Sequence, residues 1–62
     1  MPNRIRELRQ LQKISQKQLA DMTGIDVHSV HRYESGETRP DVEIAMRISH
    51  ALGKKTDEVF WV

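Results

Sequence analysis

The side chains best suited to chemistry lie on one side of a short predicted helix in the middle of the chain. At about 100° per residue, one side of this helix presents Val27, His28, His31 and Arg32. A guanidinium can donate two parallel bonds to guanine O6 and N7, imidazole can donate or accept, and a valine methyl can touch a thymine methyl. This combination is suited to reading base edges in a DNA major groove. The opposite side presents Ser29, Val30 and Tyr33, which we expect to be buried.

The residues around this helix predict that it is held by a second helix before it. Ser15 is a good N-cap, so the supporting helix should start at Gln16, and it should end at Gly24 because glycine readily adopts a left-handed conformation. Asp26 should cap the helix that carries the reading side chains, and Gly36 should end it. Two helices joined by so short a turn form a helix-turn-helix.

Contacts to DNA phosphates are expected at the amino end of the supporting helix, where backbone amides lack partners, and in the loop after the reading helix. The candidates are Gln16, Lys17, Ser29, Ser35, Gly36, Thr38 and Arg39. Each of them could equally serve as a helix cap or as an ordinary surface residue.

The remaining segments predict three further helices. The first contains Ile5 and Leu8 on its inner side, the fourth runs from the cap Asp41 to Leu52, and Thr56 should cap a short last one. The buried stripe predicted for the fourth helix consists of Val42, Ala45, Met46, Ile48, Ser49 and Leu52. The expected fold is therefore all-α, with five short helices and no certain strand.

Size and composition limit the function. A chain of 62 residues forms one small domain, 1–62, with a single core and no room for a separate catalytic cleft. The absence of cysteine indicates a reducing compartment, and we expect a cytoplasmic protein. No apolar run approaches the roughly 20 residues of a membrane span. The net charge is only +1, but several cations lie in the first helix and beside the helix-turn-helix, which is where attraction to phosphates requires them.

Taken in order, these residues resemble the Cro-type and phage-repressor family of helix-turn-helix proteins, also called the XRE family. The matching positions are Ile5, Leu8, Arg9, Ser15, Gln16, Leu19, Ala20, Gly24, Ile25, Val30, Arg32, Tyr33, Glu34, Gly36, Arg39, Pro40, Ala51, Leu52, Gly53, Asp57, Glu58, Val59 and Phe60. The resemblance covers nearly the whole chain and implies a compact five-helix lambda-repressor-like domain that binds double-stranded DNA. It also implies a partly buried ion pair between Arg9 and Glu34. Thr23 departs from the pattern, which usually has a larger aliphatic residue there.

We expect two copies to act together, because one reading helix covers few base pairs and specificity generally requires two half-sites about 10 base pairs apart. The partner is then a pseudo-palindromic operator bound by a homodimer. The interface predicted from apolar residues outside the core consists of Ile44, Ala51, Trp61 and Val62. These could instead be scattered surface residues and a frayed tail.

Our leading hypothesis is a sequence-specific transcriptional regulator, most simply a repressor, that uses no cofactor and no small-molecule substrate and has no membrane partner. The alternative is an antitoxin-type module that binds a protein partner and its own promoter. An enzyme is not expected, because the sequence contains no paired carboxylates, activated nucleophile or phosphate-binding glycine loop. His28 and His31 are close enough to share a metal, but a third ligand is missing, so we expect no metal site.

Overall fold

Five α-helices follow one another in the computed structural model, which describes residues 2–61. They are α1 (Ile5–Leu11), α2 (Gln16–Thr23), α3 (Val27–Ser35), α4 (Val42–Ala51) and α5 (Thr56–Val59). The extended residues described within 2–61 form one isolated antiparallel bridge, between Asn3 and Phe60, which joins the start of the chain to the end of α5. The all-α prediction is confirmed.

Both ends of α2 form as the sequence predicts. Ser15 Oγ accepts from the amide of Gln18 at 3.0 Å, and Gln18 Oε1 accepts from the amide of Ser15 at 2.8 Å. This reciprocal pair satisfies two amides that helix geometry leaves without partners. Gly24 ends α2 with φ +72°, and a Cβ built there would meet no atom within 4 Å. Glycine is therefore favoured here by the left-handed backbone rather than by crowding.

Aspartates begin the next two helices. Asp26 Oδ1 accepts from the amide of Ser29 at 2.8 Å, and Asp41 Oδ1 accepts from the amide of Ile44 at 2.9 Å. The start of α5 differs from the prediction that Thr56 is its cap, because Lys55 occupies the cap position and Thr56 is the first helical residue. Glu58 reaches back to accept from the Lys55 amide at 2.8 Å, so a carboxylate within the helix satisfies the amide of the cap residue.

One core holds the five helices together. Ile5, Leu19, Val30, Ile48 and Val59, one from each helix, have no solvent-accessible surface. The same core also contains Leu8, Ala20, Ala45, Leu52 and Phe60. Helix α2 packs against both α3 and α4. Helix α4 therefore supports the helix-turn-helix through its contact with α2.

The buried side of α4 differs in part from the predicted stripe. Val42 and Met46 are 76% and 56% exposed, so their assignment to the core is wrong. Ile44 and Ala51, predicted to lie opposite the core, are half-buried and pack against it. Apolar residues occupy both flanks of this helix, so helical spacing alone did not reveal which flank faces inward.

Thr23, the departure from the family pattern, is buried beneath the turn. Its hydroxyl donates to the carbonyl oxygens of Leu19 at 2.8 Å and Ala20 at 3.2 Å. The polar group is thus satisfied within α2, and its burial leaves no unpaired hydroxyl.

None of the helices in residues 2–61 combines the length and the apolar character needed to cross a bilayer.

Candidate nucleic-acid interface

The outer side of α3 presents three of the four predicted reading residues to solvent. His28, His31 and Arg32 are exposed, whereas Val30, on the opposite side, is inaccessible and anchors α3 in the core. Val27 differs from the prediction because it is half-buried and packs against the core. At the first position of α3, it lies at the boundary between the inner and outer sides, so only part of its side chain is open to solvent.

A chain of hydrogen bonds links the cap of α3 to Arg32. Ser29 Oγ donates to Asp26 Oδ2 at 3.0 Å and accepts from Arg32 Nη2 at 3.3 Å. The backbone and side-chain hydrogen bonds from Ser29, helped by the positive charges of Arg32 and His28, hold the pKa of Asp26 below its ordinary value. Ser29 is buried and its hydroxyl is bonded on both sides, which does not fit the phosphate-binding role predicted for it.

Gln16 joins the amino end of α2 to α3. Its amide nitrogen Nε2 lies 3.3 Å from Glu34 Oε1 and 3.5 Å from His31 Nδ1. The sequence predicted a phosphate contact for Gln16 and did not predict this link. The link makes the amino end of α2 and the outer side of α3 one continuous surface.

Arg9 and Glu34 form the ion pair that the family resemblance implies. Arg9 Nε donates to Glu34 Oε2 at 2.7 Å and Arg9 Nη2 donates to Glu34 Oε1 at 3.2 Å. The side chain of Glu34 is inaccessible and that of Arg9 is 12% exposed. Arg9 Nη1 also donates to the Ile14 carbonyl at 2.9 Å, so one guanidinium ties together α1, the loop that follows it, and α3.

Arg6 is a further partner of Glu34 that the sequence reasoning missed. Its Nε donates to Glu34 Oε1 at 3.3 Å, while its side chain is 59% exposed. Its position one helical turn before Arg9 could have indicated a shared partner, because residues three apart lie on the same side of a helix.

Glu34 is held in its charged form. Burial favours the neutral acid, but the hydrogen bonds from Arg9, Gln16 and Arg6 and the positive charge of Arg9 outweigh it. The pKa of Glu34 therefore lies below its ordinary value. An ionised carboxylate accepts hydrogen bonds and donates none, so every group that faces it must be a donor.

The other predicted phosphate ligands occupy two places. At α2, Lys17 Nζ is exposed and lies 3.0 Å from Asp21 Oδ1 one turn later. After α3, the Ser35 hydroxyl donates to the Arg32 carbonyl at 3.1 Å, and Gly36 turns the chain with φ +80°. Thr38 follows, half-buried, and Arg39 is exposed.

The predicted interface residues within 2–61 differ in exposure. Trp61 is 44% exposed, whereas Ile44 and Ala51 are partly covered by packing against the core. Val62 lies outside the described residues. Val42 and Met46, which the sequence reasoning placed in the core, are the larger exposed apolar groups on α4.

His28 and His31 lie three positions apart on α3, close enough in sequence to share a metal ion. Within residues 2–61, no three histidine or acidic side chains cluster closely enough to hold a metal ion.

These features define a class: a helix-turn-helix DNA-binding domain whose second helix, α3, presents polar side chains to solvent. The sequence profile of the helix-turn-helix family matches residues 5–59, and the chain belongs to this family.

Related proteins agree with the assignment. The chain is 32% identical over 62 residues to YgzD of Bacillus subtilis, named an uncharacterized HTH-type transcriptional regulator, and the match covers all of this chain and 94% of YgzD. The P22 c2 repressor in complex with synthetic operator 9T superposes with a TM-score of 0.83 at 35% identity, over 87% of this chain and 82% of the repressor. The restriction-modification controller protein C.AhdI of Aeromonas hydrophila superposes with a TM-score of 0.87 at 32% identity, over 92% and 86% of the two chains. The protein is thus similar to DNA-binding transcriptional regulators of the phage-repressor type.

Proposed function

We propose that this chain is a sequence-specific regulator of transcription, acting as a repressor, that inserts α3 into the major groove of double-stranded DNA. The observation that carries the proposal is the exposed set His28, His31 and Arg32, held on a helix whose opposite side is anchored by the inaccessible Val30. A rigid support matters, because side chains must meet base edges in a fixed geometry to discriminate between them.

Base reading is assigned to the outer side of α3. Arg32 is exposed, and its Nη2 donates a hydrogen bond to Ser29 Oγ that restricts the guanidinium. An arginine in this position is suited to donate two hydrogen bonds to one guanine. His28 lies near the start of α3, the part of a reading helix that usually contacts base edges. Val27 contributes at most the exposed part of its methyl groups, because the remainder packs against the core.

Phosphate binding is assigned to residues on either side of the reading helix. Before it lie Lys17 and the amino end of α2, where Gln16 offers its backbone amide because its side-chain nitrogen faces Glu34 and His31. After it lie Ser35, Gly36, Thr38 and Arg39. Their placement at both ends of α3 would fix the depth and direction of the helix in the groove. Lys17 would have to exchange its exposed partner Asp21 for a phosphate, at little cost for an exposed pair.

The proposal includes a cytoplasmic homodimer on a pseudo-palindromic operator. Val42 and Met46 supply an exposed apolar surface on α4, beside an open groove lined by Ala45 and Phe60. We also assign Trp61 to the dimer interface, because it is exposed. Ile44 and Ala51 would contribute only the parts of their side chains that the core leaves uncovered. Nothing in the fold or the comparisons favours the antitoxin alternative over a transcriptional regulator.

Selection of bound sequences from a random duplex pool tests the proposal. We expect one enriched motif with two inverted halves for the parent protein and a motif relaxed at one base position per half for Arg32→Ala. Arg47→Ala is the matched control, because Arg47 is an exposed arginine on α4 that pairs with Glu43 and is not among the residues assigned to DNA contacts. It should enrich the parent motif. If the parent protein enriches no motif, or if Arg47→Ala alters the motif as much as Arg32→Ala, the proposal is wrong.

A further inference from the structure

The network behind α3 determines which atom His31 presents to DNA. A neutral imidazole carries one proton, on either Nδ1 or Nε2, and the hydrogen bond at one nitrogen sets the role of the other. His31 is exposed, yet its Nδ1 faces a protein group, Gln16 Nε2, at 3.5 Å. The identity of the facing atom therefore decides the tautomer.

Glu34 fixes the orientation of the Gln16 amide. The carboxylate is inaccessible, ionised and already bonded to Arg9, so the amide atom that lies 3.3 Å from its Oε1 must be the donor nitrogen and not the carbonyl oxygen. The reverse orientation would place two acceptor oxygens against each other in a partly buried site, which is costly.

The second hydrogen of the same amide nitrogen is then the one available to His31 Nδ1. A proton on His31 Nδ1 would oppose this N–H, so Nδ1 must be the acceptor and Nε2 must carry the proton. At 3.5 Å the contact is long, but the preference depends on which atoms face each other and does not require a short bond.

We infer that Gln16 is a positioning residue that holds His31 in the Nε2–H form, so that His31 offers DNA a hydrogen-bond donor. In the major groove a donor can pair with guanine O6 or N7, adenine N7 or thymine O4, but not with the cytosine amino group. The inference deepens the proposed function and depends on it for the DNA contact, whereas the tautomer itself is a property of the free protein.

Nitrogen NMR of the free protein provides the first test. With ¹⁵N-labelled protein above the titration range of histidine, long-range proton–nitrogen spectra distinguish a protonated from an unprotonated ring nitrogen. We expect His31 to show a single tautomer, with the proton on Nε2. His28, exposed on the same helix and unbonded in the described contacts, is the internal reference and should show a mixture. The inference is overturned if the two histidines give the same tautomer ratio.

Two substitutions at Gln16 provide the second test. Gln16→Ala removes the donor and should bring His31 to the mixture seen for His28. Gln16→Glu replaces the donor by an acceptor and should move the His31 proton toward Nδ1, provided that the spectrum remains that of the folded protein. Gln10→Ala, at an exposed glutamine of α1, should leave the His31 spectrum unchanged. An unchanged His31 tautomer in folded Gln16→Ala would contradict the inference.

The DNA consequence is measured with duplexes drawn from the selected motif. For the base position that His31→Ala relaxes, we expect Gln16→Ala to reduce the preference for an acceptor base by on the order of fivefold, the contribution of one hydrogen bond. A fixed tautomer without DNA binding would refute the proposed function and leave the assignment of the proton standing. DNA binding with no base position that depends on both His31 and Gln16 would refute the reading role inferred here.

Discussion

Arg9 and Glu34 are 25 positions apart in the sequence, yet they form a two-bond ion pair beneath the surface that joins α1 to the end of α3. Together with Gln16 and Arg6, Arg9 supplies four donor atoms to the two oxygens of Glu34. The carboxyl end of α3 is thus held by the ion pair between Glu34 and Arg9, in addition to the turn that joins α3 to α2.

Removal of one member of this pair should be strongly destabilising. Glu34→Gln keeps the shape of the side chain but leaves the Arg9 guanidinium, 12% exposed, without its counterion, and we expect it to lower the free energy of unfolding by about 3–5 kcal/mol. Urea denaturation followed by circular dichroism measures this change. Glu7→Gln is the control, because it breaks the exposed Arg4–Glu7 pair and should cost only about 0–1 kcal/mol. Equal effects of the two changes would mean that burial of the Arg9–Glu34 pair contributes nothing.

Acid should weaken the fold through the same carboxylate. Because the pKa of Glu34 is lower in the folded protein than its ordinary value of 4.5, the unfolded chain binds a proton first as the pH falls. The stabilising contribution is therefore complete above this value and is lost as the pH falls through the lower pKa of the folded state. We expect the difference in unfolding free energy between the parent and Glu34→Gln to shrink over this acid range. A difference independent of pH would contradict the assignment of a lowered pKa.

The two proposed kinds of DNA contact predict different losses. Arg32→Ala should weaken binding to the selected site by about 1–3 kcal/mol and relax the preference at one base position. Arg39→Ala should weaken binding to all sequences alike and reduce the salt slope by about one. Titration of selected and random duplexes at several salt concentrations measures both. If the two variants lose the same affinity on both kinds of duplex, the division into base and phosphate contacts is wrong.

Local sequence signals predicted most of the fold. Ser15, Gly24, Asp26, Gly36 and Asp41 each delimit a helix as expected, because caps and left-handed glycines act through backbone groups within a few residues. Their chemistry does not depend on which distant elements pack nearby. For this reason the helix-turn-helix could be predicted from the sequence without knowledge of the other helices.

Contacts between distant residues were harder to predict. The exposed positions of Val42 and Met46 and the half-buried position of Val27 depend on how the helices pack against one another, which local spacing does not specify. The bond from Gln16 to Glu34 spans 18 positions and serves no helix cap, so local pattern gave no sign of it. The Arg9–Glu34 pair was anticipated chiefly through the family resemblance, which supplies tertiary information that spacing alone lacks.

The exposed apolar surface of α4 predicts a dimer, and a single charged residue introduced into this surface should weaken it. Met46→Lys places an ammonium group within the surface formed with Val42, and we expect it to raise the dimer dissociation constant roughly thirtyfold, equivalent to about 2 kcal/mol, if Met46 is an anchor of the interface. Sedimentation equilibrium measures the constant. Met22→Lys is the matched control, since Met22 is 54% exposed but lies on α2. It should leave association unchanged, while Trp61→Ala should weaken it. Sedimentation of the parent as a monomer at all accessible concentrations, or equal weakening by the two lysine substitutions, would show that this face of α4 is not the interface.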